Sequence, residues 1–383
     1  MTGGSGAGPL AGLRVVELAG IGPGPFAAML LADLGAEVLR VDRPGGGNSM
    51  VAPALDVTRR GRRSVVLDLR SPGGVRAVLD LVASADVLIE GNRPGVTERL
   101  GLGPEDCWAR NPRLVYGRMT GWGQEGPLAT AAGHDISYIA ITGALHAMGR
   151  AGEAPAVPLN LVGDFAGGSL YLVIGVLAAV IEAAESGRGQ VVDAAIVDGA
   201  ASLTAALHGM MAAGMWRDER GANLLDTGRP WYEVYPTADD GHMAVGPIEP
   251  QFYAQFMTLL ELDPDERERA DAAAWPELRE RIATAFAKRT RAEWTEIFEG
   301  TDSCVAPVLS LTEAPDHPHL RARGTFTEVN GVPQPAPAPR FSRTPGAVQQ
   351  PPAETGADTR QALTDWGVPD VDGLIDSGAA IQA

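Results

Sequence analysis

Residues 12–43, GLRVVELAGIGPGPFAAMLLADLGAEVLRVDR, read as strand, glycine-rich turn, helix and strand. Val15, Val16 and Leu18 make a short buried strand, residues 27–34 carry the helix, and 38–41 form the next strand. This is a βαβ unit of the kind that builds parallel sheets. The pattern recurs in RSVVLDL (63–69), a helix over 72–84 and DVLIEG (86–91). A helix near 104–110 then precedes LVYGRM (114–119). Elements alternating at these lengths predict an α/β fold: a mostly parallel sheet with helices on both faces.

The turn AGIGPGP (19–25) invites a dinucleotide-binding reading, with Asp42 about 20 residues on to take a ribose. Its glycines are Gly20, Gly22 and Gly24, which is not the G-x-G-x-x-G spacing. Pro23 and Pro25 also remove backbone N–H groups where a pyrophosphate needs them. A plain tight turn fits better.

Outward from this unit, 383 residues suit two lobes, and 45% apolar against 21% charged residues is the profile of a globular chain. A formal charge of −17 argues against nucleic acid and anionic membranes as partners. Of the 31 basic side chains only Lys288 is a lysine. Cys107 and Cys304 match no metal-ligand spacing, and two lone thiols suit a reducing compartment. The start MTGGSGAGPL has no charged-then-apolar leader, and the end AIQA is no peroxisomal address, so the expected location is cytoplasmic. The longest apolar run, SLYLVIGVLAAVI (169–181), is short for a bilayer and reads as a buried helix within 165–184.

A strand over 189–196 and a helix capped by Asp198 follow, closing a large Rossmann-like domain over 9–215. Composition then shifts. A short strand, MAVGPI (243–248), and polar helices at 275–288 and 291–299 predict a smaller α+β domain over 228–325. Residues 331–354 are proline-rich and read as an extended linker without packed structure. Residues 355–383 turn helical and need a surface, which points to a return onto the large domain.

Candidate functional residues stand at the ends of these elements. Arg43, Arg62, Arg63, Arg93 and Arg99 cluster near the ends of early strands, where guanidinium groups suit a multiply phosphorylated ligand. Solvated surface charge is the plain alternative. His134 in GHDIS and Asp164 in VGDFAGG both sit at helix starts, where a backbone-bonded histidine and an N-cap carboxylate read equally well. Glu249, before Pro250, is a third helix-start group. Met119, Met210, Met211 and Met215 are either core or an adaptable apolar surface.

Taken together, GLRVVELAGIGPGPFAAMLLADLGAEVLRVDRP, DVLIEGNRPGVTERLGLGPEDC, MTGWGQEGP, AGHDISY, NLVGDFAGG, GQVVDAAIVDGA and IEPQFY resemble the family III CoA-transferase superfamily, closest to its α-methylacyl-CoA racemase branch. The resemblance runs from about residue 9 to PAPRFSRTP. It implies a Rossmann-like large domain, a small α+β domain and an interlocked homodimer in which Glu249 approaches His134 of the other chain. It also implies an acyl-CoA thioester as substrate and the arginines at the adenine-nucleotide end of coenzyme A. Transferase members use an aspartate at the position of Asp164 as nucleophile. Racemase members keep it and add the histidine and glutamate that stand here as His134 and Glu249. Asp135, Asn160 and Tyr232 are secondary residues on the same ground.

Inversion at a carbon beside a thioester carbonyl needs two proton carriers and a stabilised enolate between them. His134 and Asp164 suit the carriers, with Glu249 orienting His134. Backbone N–H groups around Asp164, Phe165, Gly167 and Gly168 suit the enolate oxygen. This chemistry calls for no metal and no cofactor beyond the coenzyme A of the substrate. Coenzyme A transfer through Asp164, or a non-catalytic CoA-ester-binding protein, are the competing readings.

Overall fold

In the computed structural model, which describes residues 8–46 and 51–383, the chain divides into two compact units. The first comprises the segment ending at Thr142, Leu159–Leu203 and Arg321–Ala383; the second comprises Gly143–Pro158 and Thr204–Leu320. Residues 1–7, part of the start read above for a leader, lie outside the described residues.

β1 (Arg14–Leu18), α1 (Pro23–Asp33) and β2 (Glu37–Asp42) form the expected βαβ unit. β3 (Arg62–Leu67), α2 (Pro72–Val82) and β4 (Val87–Glu90) repeat it. Two short helices, α3 (Val96–Arg99) and α4 (Pro104–Trp108), precede β5 (Val115–Thr120), and β6 (Val191–Ala195) ends the parallel set. Across the sheet the order is the C-terminal strand Ala380–Ile381, then β3, β2, β1, β4, β5 and β6; only the C-terminal strand is antiparallel. The order reverses between β1 and β4. In such sheets ligands bind beyond the strand C-termini at that reversal.

Successive strand residues point to opposite faces, which builds two cores. Val16, Leu39, Val65 and Leu88 face α2 and the C-terminal residues Leu363 and Trp366. Val15, Val38, Val87 and Val115 face α1 and the long helix Tyr171–Ser186. Helix starts follow local chemistry: Pro23 and Pro72 begin α1 and α2, and Ser71 Oγ accepts the Gly74 N–H at 3.0 Å.

Three expectations change. The proline-rich 331–354 segment is not an unpacked linker: Phe326–Val329 pairs with Val332–Pro335 as a hairpin. Beyond it, Ala347 N–H reaches Asp33 C=O and Gln350 C=O accepts Gly61 N–H, so backbone bonding fixes the segment on the first unit. The domain boundary also moves, because Gly143–Pro158 and residues 204–215 group with the second unit and 321–325 with the first. Thirdly, the apolar run belongs to a helical stretch, Leu161–Ser186, long and apolar enough by length and composition to cross a membrane. It packs on α1, β5, β6 and the helix Ile196–Leu203, while Ile174 and Ile181 on its outer face are exposed.

The second unit centres on an antiparallel sheet of β7 (Glu233–Pro236), β8 (His242–Val245) and β9 (Val305–Pro307). Trp231, Tyr253, Phe256, Phe286, Trp294 and Phe298 form its core with Leu278 and Ile282. Aromatic side chains bury large areas apiece, so a few of them suffice for a small core.

Candidate active site

α5 (Asp135–Ile141) begins at His134, whose backbone is extended. Ser137 Oγ accepts the His134 N–H at 2.9 Å and donates to its carbonyl at 2.7 Å. The serine thus closes the helix start, and the imidazole makes no capping bond and stays exposed. Asp135 turns inward, only 7% exposed. Its Oδ2 accepts the backbone N–H of Asp164 at 2.6 Å and so ties two loops together.

Asp164 is not the N-cap of a helix starting at 165. It lies inside a π-helix, Leu161–Leu170, that runs into Tyr171–Ser186. In that wider ladder Phe165 N–H reaches Asn160 C=O at 3.2 Å. π-turns are uncommon and recur at functional sites. Its glycines explain the local packing. A Cβ on Gly163 would meet Asp135 Oδ2 at 2.3 Å, and one on Gly167 would meet Ala200 N at 2.8 Å. One on Gly168 would press on Ile196, Met119 and Pro23.

These positions revise the enolate-binding expectation. Gly167 and Gly168 are buried where the π-helix meets its neighbours. The N–H groups of Asp164 and Phe165 already have acceptors, so a substrate oxygen would share them.

The Asp164 carboxyl lies at the sheet reversal. The turn after β1 passes so close that a Cβ on Gly22 (φ 66°) would stand 3.3 Å from Asp164 Oδ2. Phe26 stacks on Phe165 with centroids 4.4 Å apart, fixing α1 against the π-helix. Burial first, then the Asp135 charge, push the Asp164 carboxyl up to about 6; a hydrogen bond from Asn160 and the nearby His134 oppose this. His134, Asp135, Asn160 and Asp164 therefore form one constellation.

Arginines divide in two. Arg43 follows β2, Arg93 follows β4 and Arg99 ends α3; all three are exposed and make no ion pair among the described residues. Arg62 is different. It opens β3 instead of following it, is 1% exposed, and its guanidinium is held by Glu17 and the Thr58 carbonyl. Arg40 reaches the same Glu17 at 2.6 Å and Asp42 at 3.1 Å. Arg62 is thus part of a buried charge network and cannot meet a phosphate there. Arg63 pairs with Glu37 at 2.7 Å and Asp365 at 2.6 Å. Asp42, the ribose candidate of a dinucleotide site, is likewise engaged by Arg40, Arg59 and Ser64.

A cleft of about 720 Å³ opens beyond Trp122, walled by Trp108, Arg118 and Gln124. Its rim carries Glu98, Glu105, Asp106, Glu125, Asp193 and Asp198, a field that repels phosphate. Arg43, Arg93 and Arg99 lie outside this lining.

Glu249 lies in the second unit, exposed, at the start of the helix Pro250–Leu259, where its carbonyl accepts the Tyr253 N–H at 3.0 Å. Arg269 donates to the Ile248 carbonyl just before Glu249 and so braces this helix start. Its guanidinium lies 4.8 Å from the Tyr253 ring centroid. Tyr232 lies against Gly246 in this unit. Met119 is a core residue of the first unit, whereas Met211 and Met215 are exposed in the second.

The sequence profile of CoA-transferase family III matches residues 10–359. The chain is 47% identical over 363 residues to the alpha-methylacyl-CoA racemase of Mus musculus, covering 94% of this chain and 93% of that one. It is also 47% identical over 341 residues to the alpha-methylacyl-CoA racemase of Homo sapiens, covering 88% and 87%. The crystal structure of a CAIB/BAIF family protein from Brucella suis superposes with a TM-score of 0.81 at 26% identity, covering 94% of this chain and all of that one. The chain therefore belongs to CoA-transferase family III.

Proposed function

We propose that this protein is an α-methylacyl-CoA racemase that interconverts (2R)- and (2S)-2-methylacyl-CoA thioesters. The observation that carries the reading is a histidine and a carboxyl of raised affinity for protons beside each other at the sheet reversal. Asp164, raised to about 6, exchanges a proton near neutrality, and the exposed His134 imidazole beside it offers a second group that can accept or return one. The 47% identity to two racemases over most of the chain supports the same reading.

In the proposed reaction one carrier takes the α-proton and the C–H electron pair moves into a C=C bond. The thioester oxygen becomes an enolate oxygen, and the second carrier protonates the opposite face. Arg43, Arg93 and Arg99 bind the phosphorylated end of coenzyme A, which is part of the substrate and not a separate cofactor. The apolar residues exposed on the first unit, Ile141, Leu170, Ile174 and Ile181, support association of two copies. In that homodimer Glu249 of one copy orients His134 of the other. A cytoplasmic role in handling 2-methyl-branched fatty acyl chains suits the two free cysteines.

The test is to incubate a single enantiomer of a 2-methylacyl-CoA in deuterated buffer without any acceptor acid. The reading expects α-deuterated product of both configurations. Turnover that demands a free carboxylic acid and yields a new thioester would replace it with coenzyme A transfer through Asp164.

A further inference from the structure

With the Asp164 and Phe165 N–H groups already shared with Asp135 and Asn160, a nascent enolate gains most from a donor that has no partner of its own. We propose that the Tyr138 hydroxyl is that donor: a further catalytic residue that hydrogen-bonds the thioester oxygen as the α-proton leaves. The proposal rests on the racemase reading and adds a group to the same site.

Its ground is how the ring is held. Tyr138 follows His134 by one helical turn, with its N–H on the His134 carbonyl, so the two side chains emerge on one face of α5. The ring lies across two glycines. A Cβ on Gly121 would land 2.0 Å from the ring and 2.5 Å from its hydroxyl; one on Gly133 would land 2.5 Å from the ring. Trp122 meets the ring edge-on with centroids 4.7 Å apart. Two glycines and a tryptophan therefore fix this phenol in place. The hydroxyl itself has no hydrogen-bond partner among the described residues, yet it is not among the sealed polar atoms of the interior.

A clamped ring with an open, unpartnered hydroxyl is the arrangement of a pre-set donor. Burial, then the Asp164 charge, raise the phenol above its ordinary value, against the opposing pull of Arg93, so it stays protonated at neutral pH. It thus lies within electrostatic reach of both Asp164 and a coenzyme-binding arginine. No proton leaves the phenol. The α-C–H bond breaks to the base, the electron pair shifts to oxygen, and the O–H bond shortens its contact with that oxygen as charge grows.

Tyr138→Phe keeps the ring and its contacts and deletes only the hydroxyl. We expect kcat for both racemisation and α-deuterium exchange to fall by on the order of 10²-fold, with KM for the thioester changed less than about threefold. An unaltered circular dichroism spectrum and melting curve accompany that result. A Tyr138→Phe enzyme whose kcat stays within twofold of wild type overturns the proposal and leaves the tyrosine as packing. A rise in KM alone overturns it too, because uniform binding is not enolate stabilisation. If the wild-type protein itself exchanges no α-proton, the racemase reading fails first, and the two failures are told apart.

Discussion

The Asp135 carboxylate accepts the backbone N–H of Asp164 at 2.6 Å while its charge raises the proton affinity of the Asp164 side chain. One residue thus places the loop and tunes it. Asp135→Asn keeps an acceptor for that N–H and removes the charge. The Asp164 pKa then falls from about 6 toward its ordinary value. For the direction in which Asp164 is the base, the acidic limb of the kcat/KM profile should move to lower pH. An unmoved limb contradicts the tuning role.

Stability carries the same signature. The folded-state pKa of Asp164 is raised from 3.8 to about 6, so the native state binds more protons than the unfolded chain between those values. Its contribution is fully present below about pH 3.8 and is lost as pH rises through about 6. Relative to wild type, Asp164→Asn should gain about 1–2 kcal/mol between pH 4 and pH 8, allowing for solvent beside a half-buried group. Urea unfolding of both proteins at the two pH values measures it; a constant difference rules it out.

The arginines should separate by phenotype. Arg62→Ala leaves Glu17 without one of its two guanidinium partners in the interior, a loss of about 3–5 kcal/mol seen in denaturation. Arg93→Ala and Arg99→Ala should leave the melting curve alone, weaken CoA-ester binding and flatten its salt dependence. Binding titrations at two ionic strengths decide it.

Packing at the π-helix is tight enough to test by one methyl group. A Cβ on Gly199 would fall 1.8 Å from the Gly167 carbonyl, so Gly199→Ala forces the π-helix and the helix Ile196–Leu203 apart. We expect a loss of about 1–3 kcal/mol and a larger drop in activity than stability alone explains, since Asp164 rides on the displaced segment. Normal kcat in a folded Gly199→Ala protein would contradict this coupling.

Much of this architecture is legible in sequence because it is periodic. Val15, Val16 and Leu18, followed by a turn and an apolar helix, specify β1, α1 and β2 without any distant contact. Arg62 misled because charge at a strand end reads as exposed, whereas Glu17, 45 positions away, supplies its partner. The π-helix was illegible for a similar reason: Gly163 and Gly167 fit Asp135 and Ala200, which meet them only in the fold. Prolines over 331–354 read as a linker, yet Val332–Pro335 pairs with Phe326–Val329 in a separate two-stranded hairpin, and Ala347 and Gln350 bond to the first unit through their backbone. The motifs GHDIS and VGDFAGG mark His134 and Asp164, whereas the Asp135 bond that joins their loops spans 29 positions and has no local signature.

In the proposed racemase, His134 and Asp164 serve as separate proton carriers on the two faces of one carbon. The most direct test of these roles is α-deuterium incorporation, measured separately from each pure enantiomer of a 2-methylacyl-CoA, with His134→Ala and Asp164→Ala. Each group alone can form the enolate, but return to the other face needs its partner. Both variants should lose net inversion and keep at most slow exchange, each from the opposite enantiomer. Full-rate racemisation by both variants would contradict these roles and leave Asp164 as a structural residue of the π-helix.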